Sequence, residues 1–223
     1  MNVTQILLFA VSVVMLQLTS GMSYSMCFGI FTSILIHELG HAYFTMKCGG
    51  RVNSIYILPM IGGICNADQV TKTRWNNCKI LLGGPLFGLL SGIFVYIVAY
   101  FTKSAECMKL ASNIAFINML NLLPLASIMD GGQILSTLFS CFHRNVYKFG
   151  QYICFISLIF MIYFLNVGIV FAFFIIYMSL ENLKHVPDFE EGATSPTKTV
   201  IKCLFYYVLL FISCVILLMR AKI

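Results

Sequence analysis

The chain has few charged residues and few histidines for its length. Of its 223 residues, 10% are charged, only eight are acidic and four are histidine, whereas 60% are hydrophobic. A soluble domain of this size could not bury so much apolar surface, because most of its residues would still face water. Several stretches approach the 20 or so apolar residues that cross a bilayer as a helix. The composition therefore excludes an ordinary soluble protein and predicts a polytopic integral membrane protein.

Other absences narrow the class of protein further. The nine cysteines form no C-x-x-C pair and their number is odd, which argues against a disulfide framework and against a cysteine zinc site. The basic residues are spread over the loops, so no patch suited to nucleic acid exists and no nucleic-acid partner is expected. No basic residue precedes the first apolar run, Ile6 to Leu18. That run is therefore expected to be a retained membrane helix and not a cleaved signal peptide.

The apolar stretches predict an all-α transmembrane bundle of six to seven helices, because the first and last stretches are the least sharply defined. The expected helices are 5–19, 26–46, 80–101, 110–130, 149–165, 168–183 and 201–219. Residues 51–66 are too short to span, and Pro59 and Gly62-Gly63 interrupt them. This segment is expected to form a short re-entrant β-hairpin. Such backbone persists at membrane depth only beside protein or a water-filled cavity.

The second predicted helix contains the sequence His37-Glu38-Leu39-Gly40-His41, an H-E-x-x-H pattern. Residues four apart share one face of a helix, so His37 and His41 can bind the same metal ion. Glu38 lies beside that ion, where its carboxylate can accept a proton from water. Ionisable side chains inside a membrane segment are costly and are functional by default. The pattern predicts one Zn²⁺ ion held by His37 and His41, with Glu38 as the catalytic base.

A catalytic zinc site needs a third protein ligand and an open position. The acidic residues in or near apolar segments are few, and Asp130 is favoured because it is expected at the end of the fourth helix, at a depth similar to that of the histidines. Asp68, near the hairpin, is not excluded by its position. A helix-capping role for Asp130 is the alternative to metal binding.

These residues resemble the site-2 protease family of intramembrane metalloproteases. Four elements occur in the order typical of the family. They are the H-E-x-x-H pattern, the hairpin, Leu82-Gly83-Gly84-Pro85-Leu86, and the stretch Asn121 to Gly132 with its N-x-x-P and Asp-Gly elements. The resemblance covers roughly residues 26–140. Met129 before Asp130 and Ala126-Ser127 depart mildly from the family pattern.

The resemblance implies roles for individual residues. Asp130 is the third zinc ligand and Glu38 the catalytic acid and base, while Asn121 lies near the reacting peptide or serves as an ordinary helix–helix hydrogen-bonding residue. The hairpin, with Ile57, Gly62 and Gly63, is expected to bind the unwound substrate at a strand edge. We expect one transmembrane metalloprotease domain over residues 1–223, with its core at 26–140 and C-terminal helices at 149–219. It would be a minimal member without PDZ or CBS domains.

The predicted function is zinc-dependent hydrolysis of peptide bonds within or next to transmembrane segments of membrane proteins. Its partners would be a transmembrane protein substrate, the lipid bilayer and a regulatory membrane protein. Lysine and arginine are more frequent in the loops on one side, which predicts an active site toward the cytoplasm, with a bacterial cytoplasmic membrane as the expected location. Alternatives are a metal transporter, a non-proteolytic zinc-binding scaffold, and a prenyl-processing type of metallopeptidase with Glu181 as third ligand.

Overall fold

The protein is mainly helical, with one small antiparallel sheet. The computed structural model describes residues 3–58, 62–68, 73–124, 128–142, 146–164, 173, 176–177, 179–181 and 195–221. The helices are α1 Val3–Ser20, α2 Tyr24–Lys47, α3 Arg74–Thr102, α4 Ala105–Leu122, α5 Asp130–Ser140, α6 Val146–Phe164 and α7 Pro196–Ala221. The strands are β1 Arg51–Leu58 and β2 Gly62–Asp68. The prediction of a helical protein with a short hairpin is confirmed.

The chain divides into two compact units. The first contains Met1–Val70, Gly83–Met119 and Leu209–Ile223, and the second contains Thr71–Leu82 and Leu120–Val208. In the first unit, α1, α2 and the hairpin pack together around a core of Val13, Cys27, Phe31 and Ile57. In the second, α5 packs against α6.

Helix α2 begins where local chemistry favours a helix start. Ser23 is its N-cap, with extended backbone angles, and its hydroxyl accepts a hydrogen bond from the Met26 amide at 3.3 Å. An N-cap serine satisfies one of the amides that the first turn leaves without a helical partner. The helix then continues for 24 residues. At 1.5 Å per residue this is about 36 Å.

The hairpin has a defined register. Ile57 pairs with Gly63 and Leu58 with Gly62, and a bulge falls between Val52 and Ser54. Gly62 has a φ of 115°, a conformation that side chains other than glycine's rarely tolerate. The strands extend to Asp68, slightly beyond the predicted segment, and Pro59–Ile61 lie outside the described residues.

Three helices among the described residues are long and apolar enough to cross a membrane. These are α1, α3 and α7. Their length and composition indicate an integral membrane protein, as expected, while the count of six to seven spans stays a prediction. Most of the predicted helix 168–183 lies outside the described residues.

The predicted helix 110–130 is wrong at its carboxyl end. Helix α4 ends at Leu122, and Asp130 is the first residue of α5, an 11-residue helix that the hydrophobic pattern did not predict. Pro124 explains the break, because proline disfavours helical backbone at the preceding residue and lacks the amide hydrogen that a helix uses. Asp130 therefore begins a helix and does not end one.

Candidate metal centre

The two histidines and the glutamate of the H-E-x-x-H pattern form one cluster on α2. Potential ligand atoms of His37, Glu38 and His41 all lie within 4.8 Å of one another, and the two histidine Nε2 atoms are 3.2 Å apart. His37 and Glu38 are each 7% exposed. Nitrogen atoms from two imidazoles thus converge next to a buried carboxylate, in a helix that is otherwise largely apolar.

Asn118 on α4 fixes which nitrogen of His37 faces the cluster. Its Oδ1 atom lies 3.1 Å from His37 Nδ1, while its Nδ2 donates to the Ile114 carbonyl at 2.9 Å. Because the amide nitrogen is used at Ile114, the oxygen faces His37 and accepts a hydrogen bond from Nδ1–H. A proton on Nδ1 leaves the lone pair on Nε2, which is the nitrogen directed at His41. His37 is thereby held in the tautomer that a metal ligand requires.

Small residues on α3 make room for the imidazoles. A Cβ atom on Gly84 would lie 2.6 Å from His37 Nε2 and closer still to His41 Nε2. A Cβ on Gly88 would overlap the Asn118 amide, so Gly88 creates the space in which Asn118 reaches His37. Gly40 and Gly83 bring the α2 and α3 backbones into contact, since a Cβ on Gly83 would lie 2.8 Å from the Gly40 carbonyl oxygen. Glycine allows close helix–helix approach of this kind in membranes.

The hairpin passes directly over the glutamate. A Cβ atom on Gly63 would lie 2.5 Å from Glu38 Oε1. Any residue other than glycine at position 63 would therefore displace the Glu38 carboxylate. Gly62 precedes it at the start of β2. The Ile57 side chain is 2% exposed and lies in the core with Phe31, so any substrate contact from this residue would come from its backbone. The substrate-binding roles of Ile57, Gly62 and Gly63 stay predictions.

Asp130 and Asn121 lie together in the second unit. Asn121 Nδ2 donates to Asp130 Oδ2 at 2.7 Å, and the Asp130 amide lies 3.5 Å from Asn121 Oδ1. Asp130 is 6% exposed. A Cβ on Gly131 would overlap the Leu122 carbonyl, so the chain between α4 and α5 folds back closely at this point. The asparagine holds the carboxylate, as a residue supporting a metal ligand would. The role of Asp130 as a zinc ligand stays a prediction.

The donor set of the α2 cluster fits zinc. Zn²⁺ takes imidazole nitrogen and carboxylate oxygen in catalytic sites, and its histidine ligands generally use their second ring nitrogen in a hydrogen bond. His37 meets both conditions. A bulky residue at position 84 would fill the space in front of both imidazoles, and the glycine there leaves it open.

Two residues of this arrangement were not assigned by sequence reasoning. They are Asn118 and Gly88. One signal was present in the sequence, because Asn118 and Asn121 are three residues apart in an apolar helix and so share a face. Which of the two asparagines approaches a histidine depends on how the helices pack, and the spacing does not contain that information.

In a comparison with known protein families, residues 25–116 match the model of peptidase family M50. A zinc metalloprotease of Methanocaldococcus jannaschii is 28% identical over 172 residues, which are 72% of this chain and 50% of the relative. Stage IV sporulation protein FB of Bacillus subtilis is 27% identical over 128 residues, 55% of this chain and 42% of the relative. The chain thus aligns with half or less of these relatives' length. Together with the His37–Glu38–His41 cluster, these matches confirm the prediction of zinc as the cofactor.

Proposed function

Because the chain belongs to peptidase family M50, the site-2 protease family, we propose that it is a zinc-dependent intramembrane endopeptidase. Its substrates would be membrane proteins, cleaved within or next to a transmembrane segment. The observation that carries this proposal is the cluster of two imidazoles and a carboxylate on α2 of an integral membrane protein, in which His37 and Glu38 are buried. Burying ionisable side chains inside an apolar protein costs free energy, so such a cluster is functional by default.

His37 and His41 would hold the zinc ion, with Asp130 as the third ligand by resemblance to the family. Zinc, when bound, supplies Lewis-acid chemistry that acidifies water and polarises a carbonyl. Glu38 would accept the proton of the attacking water and deliver it to the leaving amine. Its carboxylate is suited to this because Gly63 and the body of α2 restrict its position. Asn118 would keep His37 Nε2 unprotonated.

A substrate helix must unwind before its peptide bond can be attacked, because the helical hydrogen bonds shield the carbonyl. We infer that the hairpin receives the unwound segment as an added strand, which would replace the lost backbone hydrogen bonds. The contact of Gly63 with Glu38 supports this inference, since it brings β2 next to the proposed base. Asn121 would contact the same segment. A regulatory membrane protein that controls substrate access is a further proposed partner.

We also propose that the protein lies in a bacterial cytoplasmic membrane with its active site toward the cytoplasm. Support comes from the lysine and arginine residues in the predicted loops, which favour this orientation. Cysteine accessibility to a membrane-impermeant reagent would test it in intact cells, because Cys48, at the carboxyl end of α2, should react only after the membrane is permeabilised.

The proposal makes a specific prediction about where the substrate is cut. Purified protein and a model single-span substrate would be reconstituted in vesicles, and the products identified by mass spectrometry. Cleavage at a bond within or next to the apolar segment, prevented by a zinc chelator and restored by added zinc, is the expected result. Cleavage confined to a distant soluble loop would contradict intramembrane action and leave only a membrane-bound zinc protease.

A further inference from the structure

A group of basic and aromatic side chains in the second unit surrounds the only tryptophan of the sequence. Trp75 lies in the first turn of α3. Lys79 Nζ lies 6.0 Å from the centroid of its ring, and Lys202 Nζ, from α7, lies 5.6 Å from the same ring. The centroid of the Tyr206 ring lies 6.4 Å from the centroid of the Trp75 ring. We call these four residues the indole cluster.

The indole cluster contains two positively charged side chains, and no acidic residue lies near either of them in the sequence. Trp75 and Lys79 are four residues apart on α3, and Lys202 and Tyr206 are four residues apart on α7, so each pair shares one face of its helix. Neither residues 73–82 nor residues 195–208 contain an acidic residue. Each ammonium lies within about 6 Å of the indole, the range of cation–π attraction. Two like charges near one ring repel each other, and an anion close to both would relieve that repulsion.

The cluster lies where each helix changes from polar to apolar. Helices α3 and α7 are two of the three described helices that can cross a membrane. After Lys79, α3 has no charged residue to its end at Thr102, and after Lys202, α7 has none before Arg220. Tryptophan and tyrosine concentrate at the membrane–water interface, and lysine extends from helix ends toward the headgroups. The four side chains therefore belong at headgroup level.

The surroundings of Lys202 favour a lipid over a free anion. Its neighbours on α7 are exposed apolar side chains, with Ile201 62%, Leu204 44% and Phe205 63% exposed. A cation beside a continuous apolar surface matches a ligand that has an anionic head and a hydrocarbon tail. A small inorganic anion would use only the ammonium groups and would leave this surface without a partner.

We propose that the indole cluster binds the phosphate of an anionic phospholipid, with Lys79 and Lys202 as the cations and the exposed side of α7 along the acyl chains. This site is separate in sequence from the zinc-binding residues and does not depend on the proposed protease activity. It would anchor the amino-terminal ends of α3 and α7 at an anionic membrane surface.

The single tryptophan makes the site directly measurable. Full-length protein in neutral detergent micelles would be titrated with phosphatidylglycerol carrying brominated acyl chains, which quench tryptophan fluorescence at short range, and separately with brominated phosphatidylcholine. We expect saturable quenching of Trp75 by phosphatidylglycerol at concentrations where phosphatidylcholine has little effect. In the K79Q/K202Q variant, the apparent affinity for phosphatidylglycerol should fall by about 25-fold, roughly fivefold for each lysine near an anionic headgroup.

Two matched variants separate charge from folding. K103Q removes a lysine that also lies over an aromatic ring, with its Nζ 4.5 Å from the Tyr100 centroid, and should leave Trp75 quenching unchanged. K79R/K202R should retain the preference for phosphatidylglycerol. Equal quenching by the two lipids, or no loss in K79Q/K202Q, would overturn the proposal. Displacement of phosphatidylglycerol by millimolar inorganic phosphate would also overturn it, because the site would then recognise a free anion.

Discussion

At the scale of single residues, the metal centre depends on side chains that support the ligands as much as on the ligands themselves. Asn118 determines the tautomer of His37, Gly88 makes room for Asn118, and Gly84 leaves open the space before both imidazoles. The H-E-x-x-H pattern predicted the cluster because its chemistry is contained in one helical turn. The supporting residues come from α3 and α4, and their contacts exist only once the helices have packed.

Replacing Asn118 should weaken zinc binding. In Asn118→Ala, His37 loses the acceptor that holds its proton on Nδ1, and supporting residues of this kind typically contribute 10- to 100-fold to metal affinity. Zinc affinity, measured by competition with a chromogenic chelator, should fall by about that factor. The nitrogen chemical shifts of His37 in zinc-free protein should also change from an Nδ1–H tautomer to a mixture.

Asn113 provides the matched control on the same helix. Its Nδ2 donates only a weak hydrogen bond to Met26 Sδ at 3.7 Å. Asn113→Ala should therefore keep the zinc affinity of the wild type. Equal zinc affinity and an unchanged His37 tautomer in Asn118→Ala would refute the positioning role.

A second test at this scale concerns the third ligand. If Asp130 binds zinc, Asp130→Asn should lower zinc affinity by at least about 100-fold, because a neutral amide replaces a charged ligand. Asp68→Asn should leave it unchanged, since Asp68 accepts a hydrogen bond from Asn53 at the far end of the hairpin. Loss of zinc affinity in Asp68→Asn would assign the third ligand to Asp68. Unchanged zinc affinity in Asp130→Asn would exclude Asp130 and leave Glu181 as the next residue to test.

At the scale of elements, the hairpin is the segment that the proposed mechanism uses most directly. Proline at Tyr56 or Ile64 would interrupt the β1–β2 pairing, because proline has no amide hydrogen to donate. We expect both variants to bind zinc with unchanged stoichiometry and to lose substrate cleavage. The test compares metal content with turnover of a model membrane substrate.

Asn53 supplies the control for this experiment. It lies at the bulge, where the regular pairing is already interrupted, so Asn53→Pro should retain most of the cleavage. Unchanged turnover in Tyr56→Pro and Ile64→Pro would exclude strand addition as the mode of substrate binding.

The elements also indicate how far the sequence predicts this fold. Long apolar helices and the glycine-interrupted hairpin were predicted because their signals are local. The hydrophobic pattern does not predict the division between α4 and α5, because Leu122 to Met129 is apolar enough to continue a helix despite Pro124. Asp130 therefore begins α5, whereas the sequence predicts it at the end of the preceding helix. Asn121 still lies beside it.

At the scale of the whole molecule, the protein combines a metal-binding cluster with helices that can cross a membrane. The cluster predicts hydrolysis, the apolar helices predict its location, and the indole cluster predicts contact with anionic lipid at the surface. The sequence alone could not predict the indole cluster, since Trp75 and Lys202 are far apart in the chain and meet only through the packing of α3 and α7.

The most direct test of the central claim is to measure zinc content and substrate cleavage together in the wild type and in Glu38→Gln. The substitution removes the proton acceptor but keeps a side chain of nearly the same size beside Gly63. We predict one zinc ion per chain in both proteins, with cleavage reduced by at least about 100-fold in the variant, as expected for loss of a general base. Equal cleavage by both proteins, or no zinc in the wild type, would contradict the assignment of a zinc protease with Glu38 as its base.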